Sequence, residues 1–341
     1  MEYVGRRLTT DTRVPGRIGD PVFFDFWKNT LKAQPWHLDL VQNGYKIPLI
    51  EFPPQSFCEN NKSALKEPIF AKTEIKRLEA LGCIYKVSRQ PHIVLPFSSV
   101  FSKKLRLVVD ASRHLNPYIV DRHIKLEDLS VVETTIREGD FMCTQDLDSG
   151  YWHVPVAAEH QTLLGVHWRE EDGTITFYQW RVMFLGLKDA VYVFTKILKP
   201  HISFIRGLGI RAVLYIDDQK IYGKSKEEAE ANTKVAKEAL RNAGWVINEK
   251  KSSTAPAQKI KFLGLGCDST TMNFFVPEDK AVTIKEMAEN LLKSTRVFVK
   301  YLARYCGKLQ SCSRALGPIV RLMTRSAYRD IKEARTWFSK I

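Results

Sequence analysis

The chain has 341 residues, 44% of them hydrophobic and 26% charged, enough for two or three domain-sized units. No apolar run reaches the roughly 18 residues of a membrane span, and the opening "MEYVGRRLTTDTRVPGRIGD" lacks the apolar stretch of a secretory signal. The formal net charge is +14, and residues 276–341 hold 14 Lys/Arg against 6 Asp/Glu, so a polyanionic partner is expected, either nucleic acid or a membrane surface. Six cysteines (Cys58, Cys83, Cys143, Cys267, Cys306 and Cys312) form no C-x-x-C pair. They read as free thiols of an intracellular protein, cytoplasmic or nuclear.

Residues 1–60 are rich in proline and aromatics and read as one short helix with irregular structure, an extension laid on a larger body. "EPIFAKTEIKRLEALG" reads as an amphipathic helix with Ile75, Leu78 and Leu81 as its stripe and Gly82 as its stop. Two β-rich runs follow, Phe97–Phe101 and Leu105–Val109, joined by a polar "SKK". "FMCTQDLDSGYW" reads as a strand and a bend, and "QTLLGVHWREEDGTITFYQW" as a hairpin turning at "EEDG". "GLKDAVYVFTKILKPHISFIRGLG" reads as a single helix, and "AVLYIDDQKIYGKS" as a second hairpin. Ser225 is expected to cap a helix that Gly244 ends, with Glu227 and Glu228 in its first turn. "IKFLGLGCDSTTMNFFVP" gives short strands, and the remainder is helical. This order has no regular βαβ rhythm, which favours an α+β, palm-like core. The expected boundaries are an N-terminal extension over 1–60, a body over 61–275 and a basic helical unit over 276–341.

Three carboxylates stand out: Asp146 at the end of a strand, and Asp217 with Asp218 at a hairpin tip. If the two elements lie side by side, these groups converge. Adjacent anions repel and are costly to desolvate, so they mark either a divalent cation site or a solvated turn. Spacing alone leaves both open. "DSG" at 148–150 suggests an aspartic protease weakly, without its apolar flanks. His153, His160 and His167 fall seven apart, with no regular helix to bring them onto one metal. In the last helices Phe298, Leu302, Tyr305, Cys306 and Leu309 make an apolar stripe. Arg296, Lys300, Arg304 and Lys308 recur every four residues on another face, and Arg321, Arg325 and Arg329 repeat the spacing. Without interleaved acids, such a ladder suits a phosphate backbone.

In type and order, the segments from about 60 to 310 resemble reverse transcriptases, above all those of DIRS-like, tyrosine-recombinase-type retrotransposons. The resemblance implies a right-hand fold of fingers, palm and helical thumb, and an RNA-dependent DNA polymerase. "DLDSGY" and "YIDD" would make Asp146, Asp217 and Asp218 the holders of two Mg²⁺ ions, with Mn²⁺ as a substitute. Tyr151 would lie under the incoming sugar and select deoxynucleotides. Arg106 would grip the triphosphate, with Lys103 and Lys104 beside it. Gly186, in "VMFLGL", would lie beside the nucleotide and template. Lys251, with Lys250 as its near rival, would approach the departing pyrophosphate. Phe262, Leu263 and Gly264 would hold the primer end, and the basic helices the template-primer duplex of RNA and DNA. The chain departs from the family pattern in two places. Asp110-Ala-Ser-Arg113-His-Leu-Asn116 has one residue more than D-x-R-x-L-N, and Met183-Phe184-Leu185 and Val191 replace residues that often include proline. These departures keep two alternatives in view: a catalytically inactive nucleic-acid-binding relic, and a template-dependent RNA polymerase. No RNase H or recombinase motif is seen, so the chain reads as a piece of an element polyprotein or as a stand-alone gene.

Overall fold

The computed structural model describes residues 13–102 and 104–341. Its strands are β1 (Ser56–Phe57), β2 (Ile84–Val87), β3 (Ile93–Leu95), β4 (Phe97–Phe101), β5 (Leu105–Val109), β6 (Phe141–Gln145) and β7 (Gly165–Arg169). They continue as β8 (Ile175–Trp180), β9 (Ala212–Tyr215), β10 (Asp218–Gly223), β11 (Ser253–Ala257), β12 (Lys259–Phe262), β13 (Leu265–Asp268) and β14 (Asn273–Phe275). Helices stand between the strands without a βαβ repeat, as an α+β protein requires. Two compact units emerge. The first takes the described residues up to Glu127, with Gln145–Gln219 and Thr233–Ser253; the second takes Asp128–Thr144, Lys220–Asn232 and Thr254–Ile341. The expected cut at 275/276 is therefore not where the units part, because the chain passes between them several times.

In the first unit, a five-stranded sheet has the order β1-β3-β7-β8-β2. Val94 pairs with Gly165 in parallel, while β8 runs antiparallel to both β7 and β2. The helix Pro68–Leu81 packs on β2 through Ala71, Ile75 and Leu78; Leu81 stays 37% exposed, outside its expected stripe. Gly82 ends that helix at φ 80, where a Cβ would be strained. The β4–β5 hairpin pairs Phe97 with Val109 and Phe101 with Leu105, the two runs expected from sequence.

Of the opening segment, residues 13–60 are described, and they contribute to this unit's core. It holds the helices Pro21–Asp25 and Pro35–Asn43, joined by a π-helical turn. Trp27 is fully buried, and its indole N–H donates to the Ala243 carbonyl at 3.0 Å. Tyr45 is buried and its hydroxyl donates to Asp189. The helix expected over residues 186–209 is two, Ala190–Ile197 and Lys199–Gly207. Pro200 sits in the first turn of the second, where its missing N–H costs nothing; within a continuous helix it would remove a hydrogen bond.

In the second unit, β11, β6 and β10 lie side by side in that order, and β12, β13 and β14 form an antiparallel sheet. The helices Glu278–Lys293, Val299–Gln310, Ile319–Met323 and Arg325–Glu333 follow. Phe298 is 48% exposed and precedes its helix, so the apolar stripe is set by buried Val299 and Cys306. None of the six cysteines is joined in a disulfide. No helix among the described residues is long and apolar enough to cross a membrane.

Candidate active site

Asp146 follows directly on β6, and a second segment of the first unit fixes its backbone. Leu147 bridges Ile247 in antiparallel sense. The Asp146 carbonyl accepts from Asn248 N–H at 2.8 Å, and Asp148 N–H donates to the Val246 carbonyl at 2.9 Å. Asp146 N–H donates to Ser252 Oγ at 3.1 Å. The same segment turns at Asn248, whose side chain accepts from Lys251 N–H, and this brings Lys251 Nζ within 3.1 Å of the Asp146 carboxylate. Glu249 ties it to Lys237 and Arg241. Asn248 and Ser252 were not singled out from the sequence, because their bonds are made across about a hundred residues.

Asp217 lies in the turn between β9 and β10, and Asp218 is the first residue of β10. That turn is two residues long, Ile216 and Asp217, and Ile216 is held at φ 55. A β-branched residue in the left-handed region is a true outlier and costs on the order of 1–3 kcal/mol. Such strain collects where a function requires one geometry. Partial burial raises the Asp217 carboxyl above its ordinary range, and the neighbouring Asp146 adds to the rise. Asp218 is pushed up to about 6, by desolvation first and then by the charges of Asp217 and Asp146, against which Lys251 acts. The three anions are thus close enough to feel one another. Among the described residues no three His, Cys, Asp or Glu side chains form a ready metal cage. The aspartates form an open set of hard oxygen donors instead. Mg²⁺ prefers that donor class and completes it with water and phosphate.

Tyr151 stands in the same place. It lies on the short 3₁₀ turn Gly150–His153, its ring 5.0 Å from that of Phe194. Burial raises its hydroxyl to about 12, with the Asp217 charge contributing. An aromatic wall therefore stands beside a carboxylate pair that can hold a cation.

The model of the family described as "Reverse transcriptase (RNA-dependent DNA polymerase)" matches residues 96–267, half of the chain, and spans every group just described. The chain belongs to the reverse transcriptase family. It is 27% identical over 188 residues to an enzymatic polyprotein of Cestrum yellow leaf curling virus, covering 53% of this chain and 28% of that one. It is 26% identical over 167 residues to a genome polyprotein of Petunia vein clearing virus, covering 48% of this chain and 7% of that one. The chain therefore spans less than a third of these relatives' length. Foamy viral protease-reverse transcriptase bound to an RNA/DNA hybrid superposes with a TM-score of 0.69 at 18% identity, over 92% of this chain and 43% of that one. The dRH form of that enzyme with double-stranded DNA gives 0.66 at 19% identity, over 92% and 56%. At such identity the likeness establishes a polymerase fold.

The other family positions lie elsewhere on the chain. Arg106 is exposed on β5 opposite Val100, and Lys104 is exposed in the bend before that strand. Lys103 lies outside the described residues. Gly186 is held at φ 118, and a Cβ there would meet the Val109 carbonyl oxygen at 2.7 Å. Asn116 clamps this loop: its amide donates to the Gly186 carbonyl and accepts from Lys188 N–H, each at 2.9 Å. The extra residue in the Asp110–Asn116 motif thus still delivers its asparagine. Phe262 pairs with Leu265, and Leu263 and Gly264 make the two-residue turn between them at φ 49 and 78. Arg296, Lys300 and Arg304 are exposed, but Arg296 precedes its helix and Lys308 is half-buried. Arg321, Arg325 and Arg329 are exposed on two short helices that part at Thr324, so their spacing is not one ladder. His153, His160 and His167 all have structural partners: Gly150 and Val246, Ile47, and Glu59 respectively.

Proposed function

We propose that this chain is an RNA-dependent DNA polymerase adding deoxynucleotides to a primer 3′ end. The observation that carries the reading is the convergence of Asp146, Asp217 and Asp218 beside Tyr151. Asp146, Asp217 and Asp218 would hold two Mg²⁺ ions. When bound, they supply activation of the 3′-oxygen and charge stabilisation on the leaving pyrophosphate. Tyr151 would block a 2′-hydroxyl and so favour deoxynucleoside triphosphates. Arg106, with Lys103 and Lys104, would contact the triphosphate, and Gly186 would let backbone approach the nucleotide. Lys251, exposed beside Asp146, would neutralise the departing phosphate. Phe262, Leu263 and Gly264 would meet the primer end. Arg296, Lys300, Arg304, Lys308, Arg321, Arg325 and Arg329 would contact the backbone of an RNA and DNA template-primer. Within the family, the order and spelling of the motifs support a retroelement enzyme of DIRS-like type. Six free thiols support an intracellular place of work.

The test is extension of a DNA primer on RNA and DNA templates, with deoxynucleotides and ribonucleotides in turn. Asp217→Asn and Asp218→Asn should each abolish Mg²⁺-dependent synthesis, and Tyr151→Ala should admit ribonucleotides. Synthesis by wild type with ribonucleotides alone would identify an RNA polymerase. No carboxylate-dependent synthesis on any template would leave the nucleic-acid-binding reading.

A further inference from the structure

Beneath the aspartate turn, the core of the first unit contains a polar pair that the reading above does not use. His201 is 0% exposed and Gln219 is 2% exposed. The Gln219 amide nitrogen donates to His201 Nε2 at 3.1 Å. With the amide nitrogen as donor the His201 proton sits on Nδ1, and in either tautomer Nδ1 has no protein partner among the described residues. Gln145, also 2% exposed, donates its amide to the Thr233 carbonyl at 2.9 Å. Its Oε1 has no protein donor among the described residues. One buried donor and one buried acceptor are thus left over, and each is expensive without a partner.

Gln145, His201, Gln219 and Asp217 share the wall of one small cavity of about 10 Å³, otherwise lined by leucines. Roughly 10–15 Å³ is what a single water needs, and a water needs polar partners, which this cavity has. A water accepts from Nδ1–H and donates to Gln145 Oε1, keeping its second hydrogen for Asp217. With the other His201 tautomer, Nδ1 becomes an acceptor, and water still serves both groups by donating.

Asp217 borders the cavity, and Gln219 follows Asp218 directly in the chain. The strained Ile216 gives this turn a reason to relax away from its geometry, so support from below has work to do. We propose that the cavity holds one long-lived water between His201 Nδ1 and Gln145 Oε1. The water and the His201–Gln219 pair position the Asp217–Asp218 turn for its divalent cation. The positioning half rests on the metal-dependent reading above; the water does not.

Two measurements on the full 341-residue chain test it. Diffraction should show one ordered water in the cavity of the wild type, absent in Gln145→Leu and His201→Phe. Mn²⁺ binding followed by electron paramagnetic resonance needs no turnover. His201→Phe should weaken it about tenfold, the lower end for loss of a partner behind a metal ligand. Gln145→Leu should act in the same direction. His201→Asn, which restores an amide near the Nδ1 position, should recover affinity. A wild-type cavity without water, or equal Mn²⁺ affinity in all four proteins, would overturn the proposal. Should His201→Phe not fold, Gln145→Leu and Gln219→Leu carry the same comparison. A chain that binds Mn²⁺ as expected yet extends no primer keeps this inference and loses the polymerase.

Discussion

Gly186 shows how a single position can carry a motif whose spelling has changed around it. The residues before it are Met183, Phe184 and Leu185, unlike the usual family pattern, yet the glycine is required on two separate grounds. Its φ of 118 is closed to L side chains, and a Cβ would press on a backbone carbonyl that cannot move aside. Gly186→Ala should therefore cost about 1–3 kcal/mol in urea unfolding. A loss below a few tenths would mean that the loop repacks. The glycine was legible in sequence; its contact with Val109 was not, because that residue lies 77 positions earlier. Asn116 is a similar case. It ends the segment that has one residue more than D-x-R-x-L-N, and the fold uses its amide to hold the Gly186 loop.

At the scale of elements, local signals held where local chemistry decides. The helix Lys226–Asn242 begins as Ser225 and Glu228 predict: Glu228 N–H donates to Ser225 Oγ at 3.2 Å, and the Glu228 carboxylate accepts from Lys224 N–H at 2.9 Å. Ser225→Ala should cost about 1 kcal/mol, read as a lower thermal midpoint, and Ser225→Asp should restore most of it. The two β-rich runs on either side of "SKK" are strands with the expected bounds, and they pair with each other, Phe97 with Val109 and Phe101 with Leu105. The failures share one cause. A periodic pattern cannot show that Pro200 splits a helix in two, nor that Thr324 divides the last arginines between two helices. It also cannot show that Phe298, the first residue of the expected stripe, lies outside it. Helix breaks depend on hydrogen bonds, and exposure depends on what packs opposite.

For the molecule as a whole, acid should be more destabilising than the surface charges suggest. His153 is fully buried, its Nδ1–H donating to the Gly150 carbonyl at 3.2 Å and its Nε2 accepting from Val246 N–H at 2.9 Å. Burial holds its pKa down at about 3, against 6.5 in an open chain. Between those values the unfolded chain binds a proton that the folded chain refuses. Stability then falls as pH drops through this window, by up to about 1.4 kcal/mol per pH unit, and is flat above it. His201, lowered to about 4 by burial, adds in the same direction. Unfolding free energies between pH 4 and 8 should show this slope. His153→Gln, which removes one of the two titrating groups, should reduce it and leave the His201 share; an unchanged slope would mean that His153 is open to water.

The sequence by itself determined the α+β class and the basic C-terminal region, and it singled out Asp146, Asp217 and Asp218 as candidates, because composition and turn chemistry are legible locally. Tertiary structure decided the rest. It placed Lys251 against Asp146 through the pairing of residues 146–148 with 246–248. It drew the opening segment into the first unit's core through Trp27 and Tyr45. It also set a histidine and two glutamines around one small cavity under the aspartate turn. In each case the decisive contact joins residues far apart in the chain, and no local pattern encodes which distant partner a buried polar group will meet.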